Sequence, residues 1–135
     1  MDYLAPVNKK YYDIENAFIG LPFIDLTSHT SFKKDDIVYV YSSFPDSSIL
    51  YKTIVIETNI KEDQLQDDSQ YFAHNEDFWK SYTKPHVRLK LLSNRTNKDL
   101  SLKELQLNGL GKNCHPQGQM GVPSKLKDYL ANSFL

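Results

Sequence analysis

The sequence predicts an α+β fold, a small and mostly closed mixed β-sheet flanked by about three to four short helices. Three observations carry this expectation. Between Lys33 and Thr58, two runs rich in Val, Ile and Tyr enclose Pro45, Asp46, Ser47 and Ser48, the pattern of two strands joined by a tight polar connection. The arms, Ile37 to Tyr41 and Ile49 to Ile56, are apolar at nearly every position, with breaks only at Lys52 and Thr53, so both faces of this hairpin should be covered. Segments of helical spacing lie on either side of it in the chain and can supply that cover. At 135 residues, one domain over 1–135 is long enough to bury a core without disulfides or metals.

In chain order, Tyr3 to Pro6 reads as a short extended segment and a possible first strand, because Pro6 biases its predecessor away from the helical region. Tyr11, Ile14, Ala17 and Phe18 recur at helical spacing after Asn8, and Gly20 is placed to close the helix. Leu21 to Leu26 contains Pro22, which suits an edge strand or a turn. Past the hairpin, Asn59 to Ser69 is dominated by acids and amides and reads as a mobile connection. Asn75 is placed to cap a short helix from Glu76 to Ser81 inside the most aromatic segment of the chain, with Tyr71, Phe72, Phe78, Trp79 and Tyr82. His86 to Leu92 alternates, with Arg88 and Lys90 opposite the apolar residues. Ser101 and Glu104 have capping-box spacing before a helix that ends at Gly109. Leu110 to Gly121 is a loop, and Leu126, Tyr129, Leu130 and Phe134 mark a last helix after Pro123 and Ser124.

Composition excludes several classes. A net charge of −1 gives no global positive field, so nucleic-acid binding must rest on a local patch. Cys114 is the sole cysteine, which rules out an internal disulfide and fits a reducing, cytoplasmic setting. No stretch has the apolar length of a signal peptide core or a membrane span. No metal or cofactor is expected, because the four histidines lack metal-binding spacing and no glycine-rich phosphate loop follows a strand. Cys114 and His115 are adjacent in a loop and do not form a nucleophile–base pair, so no catalytic residue is assigned.

Aromatic residues and polar loops point instead to binding, since a flipped or single-stranded base is held by stacking and a few hydrogen bonds to its edge. Tyr39, Tyr41, Tyr51, Phe78 and Trp79 each fit the core better than a pocket wall.

The order of features resembles the PUA-like superfamily, in the branch that holds EVE and ASCH domains. The likeness runs from Tyr3 to Leu130 and is carried by YYDIENAF, then Asp36 to Tyr39, then Tyr51 to Glu57, an aromatic FWKS turn, Val87 to Leu92, LSLKELQLNGLG and GVPSKLKDYL. Leu4 and Leu26 stand where relatives commonly carry Trp, and Asp35-Asp36 where they favour Gly-Asp. The resemblance implies a pseudo-barrel sheet flanked by helices. It also implies a module that binds RNA or reads a modified base such as 5-methylcytosine in DNA, as in modification-dependent restriction proteins. Such a module recognises and does not cut, and works with a nuclease or ATPase partner or fused domain.

By position, the resemblance implies a base pocket built from Tyr3, Pro6, Asn8, Thr27, Ser28, Ser31, Tyr41, Ser42 and Ser43, where Tyr3, Tyr11 or Tyr41 would stand in for the missing tryptophans as the stacking ring. Phosphate contacts would fall to Lys33, Lys34, Lys52, Arg88, Lys90 and Lys112. The alternative is a small protein-interaction or small-ligand-binding domain using the same pocket, and a weaker one is an enzyme acting on a nucleobase or nucleotide.

Overall fold

The structure is a computed structural model and describes residues 1–135. Six strands form one mixed sheet in the order β2-β5-β4-β3-β1-β6, curled into a half-barrel that is open at β2 and β6. Its centre is the expected hairpin. Strand β3 (Ile37–Ser42) pairs antiparallel with β4 (Ser48–Ile60), and β1 (Asp2–Val7) lies parallel to β3 on the other side. The long β4 then pairs with β5 (His86–Ser93), whose outer neighbour is the four-residue edge strand β2 (Ile24–Thr27). The expected loop from Leu110 to Gly121 ends in a two-residue strand, β6 (Met120–Gly121), against β1.

Two-sided burial follows from the pleat. Val38, Val40, Ala5 and Val7 face one core with Val55, Val87 and Leu89, and helix α1 (Ile14–Gly20) closes it with Ile14 and Ala17. Leu4, Tyr39 and Tyr41 face the opposite core, roofed by Leu105 of α3 (Leu102–Leu105), Leu110 and, from α4 (Ser124–Leu130), Leu126 and Leu130. A bulge between Val40 and Tyr41 sets Tyr51 opposite Val40 and Ile49 opposite Tyr41, which sends residues two apart on β4 to different cores. The tyrosines at 39, 41 and 51 are therefore packing residues.

Several local expectations are corrected. Asp13 caps α1 by accepting from the Asn16 amide at 3.2 Å, and Gly20 is the last helical residue with Leu21 as C-cap. Helix α2 (Asn75–Tyr82) begins after His74, so Asn75 is inside it and does not cap it. Ser101 precedes α3 without a side-chain cap, because the Asp99 carboxylate takes the Ser101 amide and Glu104 turns towards Asn108. The wide turn after α3, Gln106–Leu110, leaves helical geometry at Asn108 and Gly109, and the φ of 124° at Gly109 belongs to glycine. A Cβ there would meet the Leu126 amide nitrogen.

Asn59 to Ser69 is not a loose connection. Two short 3-10 turns, Glu62–Gln64 and Ser69–Tyr71, fold the chain back across β2 and β5. Gln66 Nε2 donates to the Phe23 carbonyl at 2.7 Å, and the Gln64 carbonyl accepts from Arg88 at 2.9 Å. No helix is long and apolar enough to cross a membrane.

Candidate binding pocket

A cavity of about 260 Å3 opens where β1 ends, beside the edge strand β2 and the first residue of β5. Pro6, Val7, Ile24, Leu26 and Phe72 give it apolar walls, while Asn8, Asp25, Thr27, Ser81 and His86 supply polar groups. Phe72 is brought there by antiparallel pairing of the chain at 71–73 with 11–13, seen in the Ala73 amide bonding the Tyr11 carbonyl at 2.8 Å and the Asp13 amide the Tyr71 carbonyl at 2.7 Å. The Tyr12 and Phe72 rings meet edge to face at 4.9 Å. Tyr11, 47% exposed, completes the rim.

Behind the cavity lies a polar cluster that no sequence pattern announced. Arg88 donates from Nε and Nη2 to the two Asp25 oxygens at 2.8 and 3.1 Å, and the Gln66 amide reaches the same carboxylate at 3.3 Å. The Asp25 side chain is only 2% exposed. A carboxylate offers about four acceptor positions, so these three bonds leave one, on Oδ1. Tyr12 donates its phenol to Asp68 at 3.0 Å. Burial pushes the Asp68 carboxyl up to about 6 and, with the Asp68 charge, raises the Tyr12 phenol well above its ordinary range, so Tyr12 stays a proton donor. The His86 ring is buried and its affinity for a proton is lowered by that burial. Its Nδ1–H donates to the Lys84 carbonyl at 2.7 Å, which leaves Nε2 as an acceptor in the neutral ring.

The structure gathers Pro6, Asn8 and Thr27 in this cavity and separates the other residues of the expected pocket. Ser28 and Ser31 line a neighbouring polar groove with His29 and Asn59. Tyr3 is buried edge-on against Phe32 at 4.8 Å, and Tyr41 packs in the core under α3 and α4, so neither ring can stack on a ligand. Ser42 is buried and donates to Asp46 at 2.8 Å, while the Ser43 amide bonds the Val7 carbonyl at 3.0 Å, so both hold the hairpin turn. Among the expected phosphate contacts, Lys33, Lys34, Lys90 and Lys112 are exposed, Lys52 is half-buried on β4, and none lines the cavity. Arg88 cannot serve a phosphate while Asp25, Glu57 and the Gln64 carbonyl engage its guanidinium. Beside the rim stands Lys10, whose ammonium sits 5.9 Å from the centre of the Tyr11 ring.

Solved structures place this architecture. An ASCH protein of Zymomonas mobilis superposes with a TM-score of 0.68 over 96% of this chain and 93% of its own, at 10% identity. The chain has the ASCH fold. A Pseudomonas putida protein shares it with a TM-score of 0.62, covering 97% of both chains at 14% identity. A Rhodopseudomonas palustris protein does so at 0.58, covering 95% of this chain and 88% of its own at 10% identity. No protein-family model and no curated sequence matches. The ASCH fold, and with it the PUA-like pseudo-barrel expected from the sequence, is thus kept at identities too low to align side chains one by one.

Proposed function

We propose that this chain is a nucleic-acid-binding module that takes a single base into the cavity beside β2. The observation that carries the reading is the pairing of an apolar wall with the last free acceptor of Asp25. A cavity of about 260 Å3 is below the ~300–1,000 Å3 of drug-sized sites and suits one ring system. Asp25 Oδ1 and His86 Nε2 are both acceptors, which favours a base edge that presents an exocyclic amine, as cytosine does. Leu26, Ile24 and Phe72 supply the surface against which a 5-methyl group is desolvated, so a methylated cytosine fits better than an unmodified one. The ASCH-type fold supports nucleic acid as the ligand class.

Tyr11 at the rim takes the stacking role in this reading, in place of the buried Tyr3 and Tyr41. Lys10 and Lys84, which flank the rim in the chain, hold the phosphates, with Lys33, Lys34, Lys52, Lys90 and Lys112 contributing only where the strand extends over their surfaces. The chain supplies recognition, and cleavage or strand movement belongs to a nuclease or ATPase that joins it.

Titration with duplexes carrying cytosine, 5-methylcytosine or 5-hydroxymethylcytosine, alongside single-stranded RNA, at two salt concentrations tests this. Binding should weaken steeply with salt and be tightest for a methylated base. No binding to any of them at low salt would sink the reading.

A further inference from the structure

On the outer side of α2, the rings of Phe78, Trp79 and Tyr82 stand with centroids 5.2 to 5.8 Å apart. They wall a groove of about 420 Å3 against Leu65, Gln66 and Asp67. Phe78 anchors the cluster in the protein, whereas Trp79 is 64% exposed. Trp79 lines neither the base cavity nor the core, so the base-binding reading leaves it without a role. Exposed aromatic surface framed by polar groups is characteristic of contact sites.

The charge around the groove selects the occupant. Residues 57–77 carry seven carboxylates against a single lysine, Lys61; Glu57 is paired with Arg88 and Asp68 is buried against Tyr12, which leaves Glu62, Asp63, Asp67, Glu76 and Asp77 to set the charge of this surface, with Lys80 following on α2. Asp67, on the groove wall, accepts from the Ser69 hydroxyl at 2.7 Å and the Ser69 amide at 3.1 Å, bonds that hold its carboxyl below the ordinary range and keep it ionised. The cation–ring pairs within the molecule involve Tyr11, Phe23 and Tyr129, so the faces of Trp79 and Tyr82 have no internal cation.

We propose that this groove docks a lysine- or arginine-rich segment of a partner protein, with a cationic side chain over Trp79 and Tyr82 and its charge facing Asp67. Nucleic-acid bases also stack on tryptophan, but Asp67 on the groove wall and the acidic segment around it repel their phosphates. The acidic segment and the base cavity thus divide the surface, one for a basic polypeptide and the other for a nucleic acid. Helix α2 joins them, since Ser81 lines the cavity and Trp79 and Tyr82 line the groove.

Trp79 is the only tryptophan, so its emission reports on this groove directly. The probe is an N-acetylated, C-amidated octapeptide of alternating Lys and Gly, compared with its Glu and Gln counterparts and with a short oligouridylate. A saturable, salt-sensitive change with the Lys peptide alone is the expected result. Tyr82→Ala and Asp67→Asn should each weaken it by about two- to fivefold, and Thr27→Phe, in the base cavity, should leave it unchanged. Asp67 is exposed, so its substitution tests the site even where Tyr82→Ala disturbs folding. The proposal is overturned by no saturable change, by an equal response to the Gln peptide, by indifference to Asp67→Asn, or by a response to the oligouridylate alone.

Discussion

Arg88 and Asp25 face each other across the β5–β2 ladder and are joined by two hydrogen bonds of 2.8 and 3.1 Å, 63 residues apart in the chain. The pair fastens the edge strand β2, carries the floor of the cavity and, through the Gln64 carbonyl, ties down the chain that follows β4. Its cation is therefore structural.

Removing Arg88 leaves the buried Asp25 carboxylate without its counter-charge and with only the Gln66 amide to bond it, which costs roughly 3–5 kcal/mol. Arg88→Ala should lower the urea midpoint accordingly. Lys90→Ala, one pleat along the same strand and exposed, should stay within about 0.5 kcal/mol of wild type. Equal effects at the two positions would show that Arg88 is not the brace described here.

Asp68 predicts a pH dependence of opposite sign to ordinary acid denaturation. Its carboxyl titrates near 6 in the fold, mainly because burial disfavours the charge, against the usual 3.8 of an unfolded chain. The unfolded state thus gives up its proton first as pH rises. Stability from this group is fully present below about pH 4 and is lost as pH climbs through 6. Asp68→Asn keeps an acceptor for the Tyr12 phenol and cannot ionise. The difference in Tm between wild type and Asp68→Asn should therefore shift in favour of the variant between pH 4 and pH 6 and be flat above 7.

Gly109→Ala should destabilise the protein by about 1 kcal/mol or more, measured by chemical denaturation. Its φ of 124° is strained for alanine, and the added methyl collides with the first turn of α4. A neutral result would mean that this turn rearranges freely.

Trp79→Ala should leave Tm within about a degree or two of wild type, because the ring is 64% exposed and its removal empties no core. A large loss would mark Trp79 as a packing residue and remove the reason to read it as a contact.

The hairpin and the flanking helices were legible in the sequence because each rests on local periodicity, and the ASCH-type layout because the order of motifs from Tyr3 to Leu130 resembles that branch. Val38 to Tyr41 and Ile49 to Val55 declare their strands without help from distant residues. Of the pocket residues that the resemblance implied, Pro6, Asn8 and Thr27 line the cavity. Its chemistry comes from long-range meetings, Arg88 with Asp25 and Tyr12 with Asp68, the latter 56 residues apart. A lone Asp in the apolar run Phe23 to Leu26 was the available signal, since a carboxylate in an edge strand needs a partner. The acidic stretch after β4 misled for the same reason: its composition is that of a loose connection, but Gln64, Gln66 and Asp68 bond to residues that lie far off in the sequence.

The base cavity is tested most directly by following backbone amide resonances during titration with a short pyrimidine oligonucleotide that carries one 5-methylcytosine. Saturable shifts at Val7, Asn8, Asp25, Thr27 and His86, abolished by Thr27→Phe, are the predicted result. Shifts confined to the Ser28–Ser31 groove or to α2, or none at all, would contradict it.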